Sequence, residues 1–381
     1  MTVSQIGKIP RAIPLTMTRH ALIVTYTMPE PAVVGVFFRA LRLTEELCNR
    51  GWQVTVCNFG QLPDDPKVTR ATRMARILEL GCPTIPTHRF SVAVEAGVAG
   101  IARFFASLSG DVMVFGEGPF GNMQQAYDAA ASLPLPFVLL EQYYGDWLIK
   151  DERRADRVLL YGLKCLWGGA PALGERYAMI PPFVGTLAER AKVPVPRQWH
   201  ERRWFAVLGF EKLVLQHGIE LARHLDDPTV GVVTMSHDPE VAVALARRIG
   251  LDVERLVALP LQTDEILFSL IAHSRCVVLA NGFMQVMEAL CLACPALTVD
   301  RGLGMADWML DERFRAYVSS GEDLDTQVSR MRAWLNESPF SPSMIAALEQ
   351  ERAGASLCAD QIETVWAAHP NTAPANRGRV G

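Results

Sequence analysis

Short unbroken apolar runs alternate with longer amphipathic stretches through almost the whole chain, and this rhythm restricts the fold more than any other feature. A short continuous apolar run suits a strand covered on both faces, as in a parallel sheet flanked by helices. Ala21–Thr27 (ALIVTYT) is such a run. From Val36 to Asn49, the residues Val36, Phe37, Ala40, Leu41, Thr44, Leu47 and Cys48 recur at helical spacing. That spacing predicts a helix with Arg39, Arg42, Glu45 and Glu46 on its other faces. Gly51 supplies the left-handed residue that ends the helix, and Gln53–Asn58 (QVTVCN) begins the next strand. The result is a β-α-β unit.

The rhythm continues with helices expected around 68–80 and 93–108, a short strand at 83–86, and strands at Asp111–Phe115 (DVMVF), Pro136–Leu140 (PFVLL) and Arg157–Tyr161 (RVLLY). It breaks between Ile180 and Arg203, where Pro181, Pro182, Pro194 and Pro196 stand among charged residues. Trp204–Gly209 (WFAVLG) then restarts it. Helices are expected at 212–224, 239–249, 263–273 and 285–293, and strands at 231–235, 255–259, 276–279 and 296–299. Alternation of this kind predicts two doubly wound α/β domains. We therefore divide the chain into an N-terminal extension (1–20), a first Rossmann-like domain (21–182), a second (183–368) and a polar, Gly- and Pro-bearing tail (369–381) expected to be disordered.

A length of 381 residues, half of them hydrophobic, supports more core than one domain usually holds. The net charge of −4 gives no basic surplus of the kind a phosphate backbone calls for, so nucleic acid is not expected as a partner. The eight cysteines fall mostly in apolar segments, which predicts free thiols in a reducing, cytoplasmic setting. Cys291 and Cys294 have metal-like spacing without a second pair, and structural packing is the expected role. The first twenty residues contain Lys8, Arg11 and Arg19 between runs broken by Pro10 and Pro14, unlike a signal peptide. No apolar run reaches bilayer length, so the chain is expected to be soluble or at most to lie on a membrane surface.

Leu256–Val299 carries the most specific pattern in the chain: a strand, Gly282, a few residues, Glu288 on an apolar helix, then Pro295 before another strand. This segment resembles the donor-binding region of GT-B glycosyltransferases, including the MurG-like and UDP-glycosyltransferase groups. The usual Thr before the Glu is Gln285 here, and the usual Gly before Pro is replaced by Ala293-Cys294. The resemblance implies that Gly282, beside Asn281, lets backbone approach a diphosphate at the helix N-terminus, that Gln285 donates to it, and that Glu288 accepts from ribose hydroxyls. The bland alternative makes Gly282 a bend and Glu288 a turn cap. Gly209 and Lys212, in the loop after Leu208, occupy the place where such enzymes set a turn against the diphosphate. Gly35–Val56 is similar to the first β-α-β of the same group, with Gly35 and Arg39 matching the subgroup that carries Arg in the first helical turn and implying an acceptor-side role. The His commonly found after that Gly is Val36 here.

Glycosyl transfer needs a general base and stabilisation of the departing diphosphate. Glu117, in the strand-loop segment Asp111–Gly121 (DVMVFGEGPFG), is similar to the subgroup's acidic residue and lies at the rim where open α/β sheets bind ligands; a solvated loop carboxylate is the alternative. Asp146, in Glu141–Asp146 (EQYYGD), is a second candidate. His237 and His273 are expected to be caps or exposed. Asp64-Asp65 lies in a Pro-flanked turn, so no metal and no cofactor are expected beyond a nucleotide-sugar co-substrate, UDP-linked by analogy. The stretch Phe90–Leu108, with Arg103, Phe104 and Phe105, is poor in basic residues and is expected to pack on the sheet rather than meet a membrane. The resemblance implies a small or lipid-linked acceptor. A catalytically silent subunit that scaffolds a partner protein, and a sugar-nucleotide epimerase, remain as alternatives.

Overall fold

The structure, a computed structural model, describes residues 19–26, 35–59, 84–85, 97–116, 123–142, 154–166, 174–184, 202–209, 212–236, 238–260, 262, 264–280, 282–299 and 312–369. Seven strands form the first sheet: β1 (His20–Tyr26), β2 (Gln53–Phe59), β3 (Thr84–Ile85), β4 (Val112–Phe115), β5 (Phe137–Gln142), β6 (Arg157–Tyr161) and β7 (Tyr177–Ile180), in the order 3-2-1-4-5-6-7. Six form the second: β8 (Arg203–Leu208), β9 (Val230–Ser236), β10 (Leu256–Pro260), β11 (Val277–Ala280), β12 (Ala296–Val299) and β13 (Val318–Ser320), in the order 10-9-8-11-12-13. Among the described residues every strand pair is parallel. Parallel strands need crossovers, which explains why the apolar runs are separated by helical stretches. The helices are α1 (Gly35–Asn49), α2 (Gly97–Ser107), α3 (Met123–Ala131), α4 (Lys212–Leu225), α5 (Pro239–Ile249), α6 (Asp264–His273), α7 (Phe283–Cys291), α8 (Leu324–Asn336), α9 (Pro342–Gln350) and α10 (Gly354–Ala368).

Strand order reverses in each sheet at one place, between β1 and β4 in the first and between β8 and β11 in the second. Such a switch point opens a crevice at the carboxyl edge of an open sheet. The register Val277↔Ala206 to Leu279↔Leu208 sets the end of β8 beside the end of β11. Gly209 and Gly282, far apart in the chain, therefore emerge on the same edge.

One apolar core runs through both units. Leu22, Val114 and Leu159 of the first sheet belong to the same continuous cluster as Phe268, Phe283, Met287 and Leu279 of the second unit. A second cluster, including Val214, Ile219, Leu245, Met331 and Trp334, fills the opposite face of the second sheet, under α4, α5 and α8.

The chain then crosses back. Although it follows the second sheet in sequence, α10 packs on α1 and on β5, β6 and β7 of the first. Its first residue, Gly354, lies so close to the end of β7 that an added Cβ would stand 2.1 Å from Pro181 O. Arg19 lies over the rings of Trp52 and Trp366, and Glu363 accepts from Arg19 and from Trp52 Nε1. The domain range 183–368 thus ends in a helix that rests on the first sheet.

This return explains a departure from the sequence reading. The spacing in α1 placed Arg39 and Arg42 on outer faces, yet they are 0% and 5% exposed. An amphipathic pattern assumes one buried stripe, whereas α1 is packed by its own sheet, by α10 and, through Arg42, by the second unit. On α2, Ile101 and Phe105 are buried in the main cluster while Arg103 is exposed. Cys291 and Cys294 are buried, and burial pushes both thiols well above their ordinary range. Among the described residues no helix is long and apolar enough to cross a membrane.

Candidate functional site

The switch point of the second sheet holds two of the expected glycines, for different reasons. A Cβ on Gly209 would lie 2.8 Å from Val214 Cγ1, so close packing of β8 on α4 accounts for that glycine. A Cβ on Gly282 would meet only Gln285 Oε1, at 3.8 Å, and its φ of −94° suits any residue. Neither packing nor backbone conformation among the described residues demands a glycine there.

Gly282 is also the N-cap of α7 and gives it no side-chain acceptor. Asp238, Asp323 and Ser341 do cap α5, α8 and α9 through their side chains. The first turn of α7 carries no acidic residue either. Among the described residues no side chain caps this helix start, and the positive end of its dipole suits an anion. Half-buried Gln285 sits in that turn, and exposed Lys212 opens α4, the helix that follows β8. The helix starts two residues earlier than the sequence predicted, at Phe283, because this backbone-only cap has no side-chain signature; Ala293, expected inside it, has a φ of 55°.

Glu288 lies in the second turn of α7, 6% exposed. Its Oε1 accepts from Arg42 Nη1 at 2.5 Å, and the two side chains are 8% and 4% exposed. The resemblance gives this carboxylate to ribose hydroxyls; in this arrangement it is engaged by an arginine from the other unit. The Arg42 guanidinium also lies 4.5 Å from the centroid of Phe268 on α6.

One turn before Arg42, Arg39 donates through Nη2 to Gly116 O and lies 5.1 Å over the Tyr161 ring. Gly116 follows β4 and donates to Val24 O, at the switch point of the first sheet. Arg39, expected on the acceptor side, is thus a fully buried strut under that switch point. Burial, with the Glu288 charge nearby, raises the Tyr161 hydroxyl far above the usual phenol range, so it stays protonated. Gly35 opens α1. Val36, 2% exposed, lies 3.6 Å from where a Cβ on Gly116 would be, so the place that commonly holds a His is apolar and packed.

Glu117, Asp146, Asn281, His237 and Asp64-Asp65 lie outside the described residues. His273 Nδ1 is 2.8 Å from Ser269 O within α6, a helix-end contact. Among the described residues no group of three or more His, Cys, Asp or Glu could hold a metal.

Two further residues escaped sequence reasoning. Glu351 accepts from the backbone N–H groups of Lys164 and Cys165, while Arg352, 1% exposed, donates to Cys291 O at the end of α7. The crossover peptide before α10 therefore grips the first unit with one residue and α7 with the next. Nothing in a lone Glu-Arg pair ahead of a helix signals this.

No family model and no curated protein matches the chain. Solved structures do. CalG4, the calicheamicin glycosyltransferase, superposes with a TM-score of 0.59 at 13% identity, covering 93% of this chain and 99% of its own. MurG of Acinetobacter baumannii gives 0.58 at 14%, with 91% and 99% covered. A putative UDP-N-acetylglucosamine 2-epimerase from Listeria monocytogenes gives 0.55 at 13%, with 92% and 96% covered. The chain has the GT-B fold, two Rossmann-like α/β units of the kind found in glycosyltransferases. At this identity the likeness defines the architecture over nearly the whole length.

Proposed function

We propose that the protein is a metal-independent glycosyltransferase that moves a sugar from a nucleoside-diphosphate donor, UDP-linked by analogy, to a small or lipid-linked acceptor. The observation that carries this reading is the N-terminus of α7: a helix start at the switch point of the second sheet with no acidic residue in its first turn, headed by a glycine that provides no side-chain cap and that no described neighbour requires. An anion is the ligand such a feature suits. Gln285 lies in its first turn, Gly209 belongs to the same edge, Asn281 adjoins Gly282 in sequence, and Lys212, at the start of the helix after β8, is proposed to add a positive charge. Glu117 is the first choice for the base and Asp146 the second, with Gly35 and Arg39 shaping the acceptor side. Buried free thiols fit a reducing compartment such as the cytoplasm.

A second reading, a catalytically silent subunit that scaffolds a partner, is favoured by Val36 in its packed position and by the engagement of Glu288 with Arg42. Incubation with UDP- and dTDP-sugars separates the possibilities. Transfer predicts release of the nucleoside diphosphate that depends on an acceptor. An inverted sugar on an intact nucleotide would replace transfer by epimerisation, and absence of nucleotide binding in calorimetry would leave the scaffold.

A further inference from the structure

Arg39 and Arg42 stand one turn apart on α1 and serve different units. Arg39 stays within the first, on Gly116 and Tyr161. Arg42 crosses to the second, where it lies over Phe268 of α6 and bonds Glu288 of α7. The carboxylate it holds is the group that the proposed donor ribose would use. A guanidinium–carboxylate bond between two buried ions is charge-assisted, whereas ribose hydroxyls are neutral donors. A ribose approaching Glu288 meets a stronger donor already in place.

We propose that Arg42 is an intramolecular competitor for the donor site, so that nucleotide binding and the α1–α7 contact exclude one another. Rotation of the Arg42 side chain away from Glu288, or separation of the two helices, is then part of donor binding. The apparent affinity for nucleotide is the intrinsic affinity multiplied by the fraction of molecules in which the pair is open. Because the same pair joins the two units, the ligand also loosens their contact, as any ligand shifts an equilibrium towards the state it prefers. This inference rests on the donor reading, and the experiment distinguishes its failure from that of the reading.

The full-length protein and its Arg42→Met and Arg42→Lys variants are titrated with UDP and with dTDP by calorimetry. Arg42→Met is expected to bind at least about tenfold more tightly than the wild type, as removal of a competing closed state requires. Arg42→Lys keeps a positive charge without the planar fork and should fall between the two. In the wild type, saturating UDP should speed amide exchange in α1 around Arg42, a readout independent of how well either variant folds. Equal or weaker binding by the variants, or slower exchange in α1, overturns the competitor role and leaves the donor reading intact. Failure of all three proteins to bind either nucleotide overturns both.

Discussion

At the scale of single residues, the two glycines at the second switch point make opposite predictions. Gly209→Ala drives a methyl group into Val214 at 2.8 Å, and overpacking of this kind costs about 1–3 kcal/mol. Gly282→Ala meets no clash among the described residues and should cost about 0.5–1 kcal/mol, since Ala is a poorer N-cap than Gly. The same Gly282→Ala change should weaken UDP binding about tenfold, because the new methyl group occupies the approach to the helix N-terminus. Urea unfolding and calorimetry on the two variants check both halves. The Arg42–Glu288 pair gives a sharper test. Glu288→Ala strands a buried guanidinium and should cost about 3–5 kcal/mol, whereas Arg42→Met with Glu288→Leu removes both charges and should recover most of that loss. A double-mutant cycle with no coupling between the sites would contradict the buried pair. The pattern of Gly282, Gln285 and Glu288 was legible in the sequence because it sits on one strand-loop-helix segment. Arg42 was not, because its partner lies on another unit and its own helix reads as half-exposed when taken alone.

At the scale of elements, most strands and helices as far as β12 follow from the apolar rhythm, whereas β13, α8 and α9 were not among the expected elements. Arg157–Tyr161, Pro239–Ile249 and Ala296–Val299 are as expected, and most other ends differ by one to three residues. The element whose position was least legible is α10. Its helical character is ordinary, but its destination on the first sheet depends on contacts made 300 residues away in the chain, such as Arg50 with Ser356 and Asp360. Local periodicity reports which face is buried and never against what. Gly354 is the element's most sensitive point, since a Cβ there would meet two backbone carbonyl oxygens, of Pro181 and Pro182, and neither can move without shifting β7. Gly354→Ala is expected to lower stability by about 1–3 kcal/mol and to speed amide exchange in both α10 and β7. A variant with unchanged stability would show that α10 is not seated as described.

At the scale of the whole molecule, one continuous core and a returning helix make the two units interdependent, and the buried thiols convert that into a pH dependence. Cys57, Cys276, Cys291, Cys294 and Cys358 are all buried, and loss of solvation raises each above the ordinary value near 9, Cys57 to about 12. Above pH 9 the unfolded chain gives up these protons while the folded one retains them, so the unfolded state binds fewer protons and stability falls as pH rises. The contribution of Cys57 is complete below pH 9 and is lost between there and about pH 12, where it ionises in the folded protein as well, and the other four thiols are held higher still. Each thiol adds a slope approaching about 1.4 kcal/mol per pH unit. Because Cys57 lies in the first sheet, Cys358 in the returning helix and the other three in the second unit, both halves should lose stability together. A single cooperative transition that moves to lower temperature above pH 9 is expected in calorimetry. Cys276→Ala should flatten the decline by one thiol's share, and two separate transitions with different pH dependence would break the link between a shared core and a shared response.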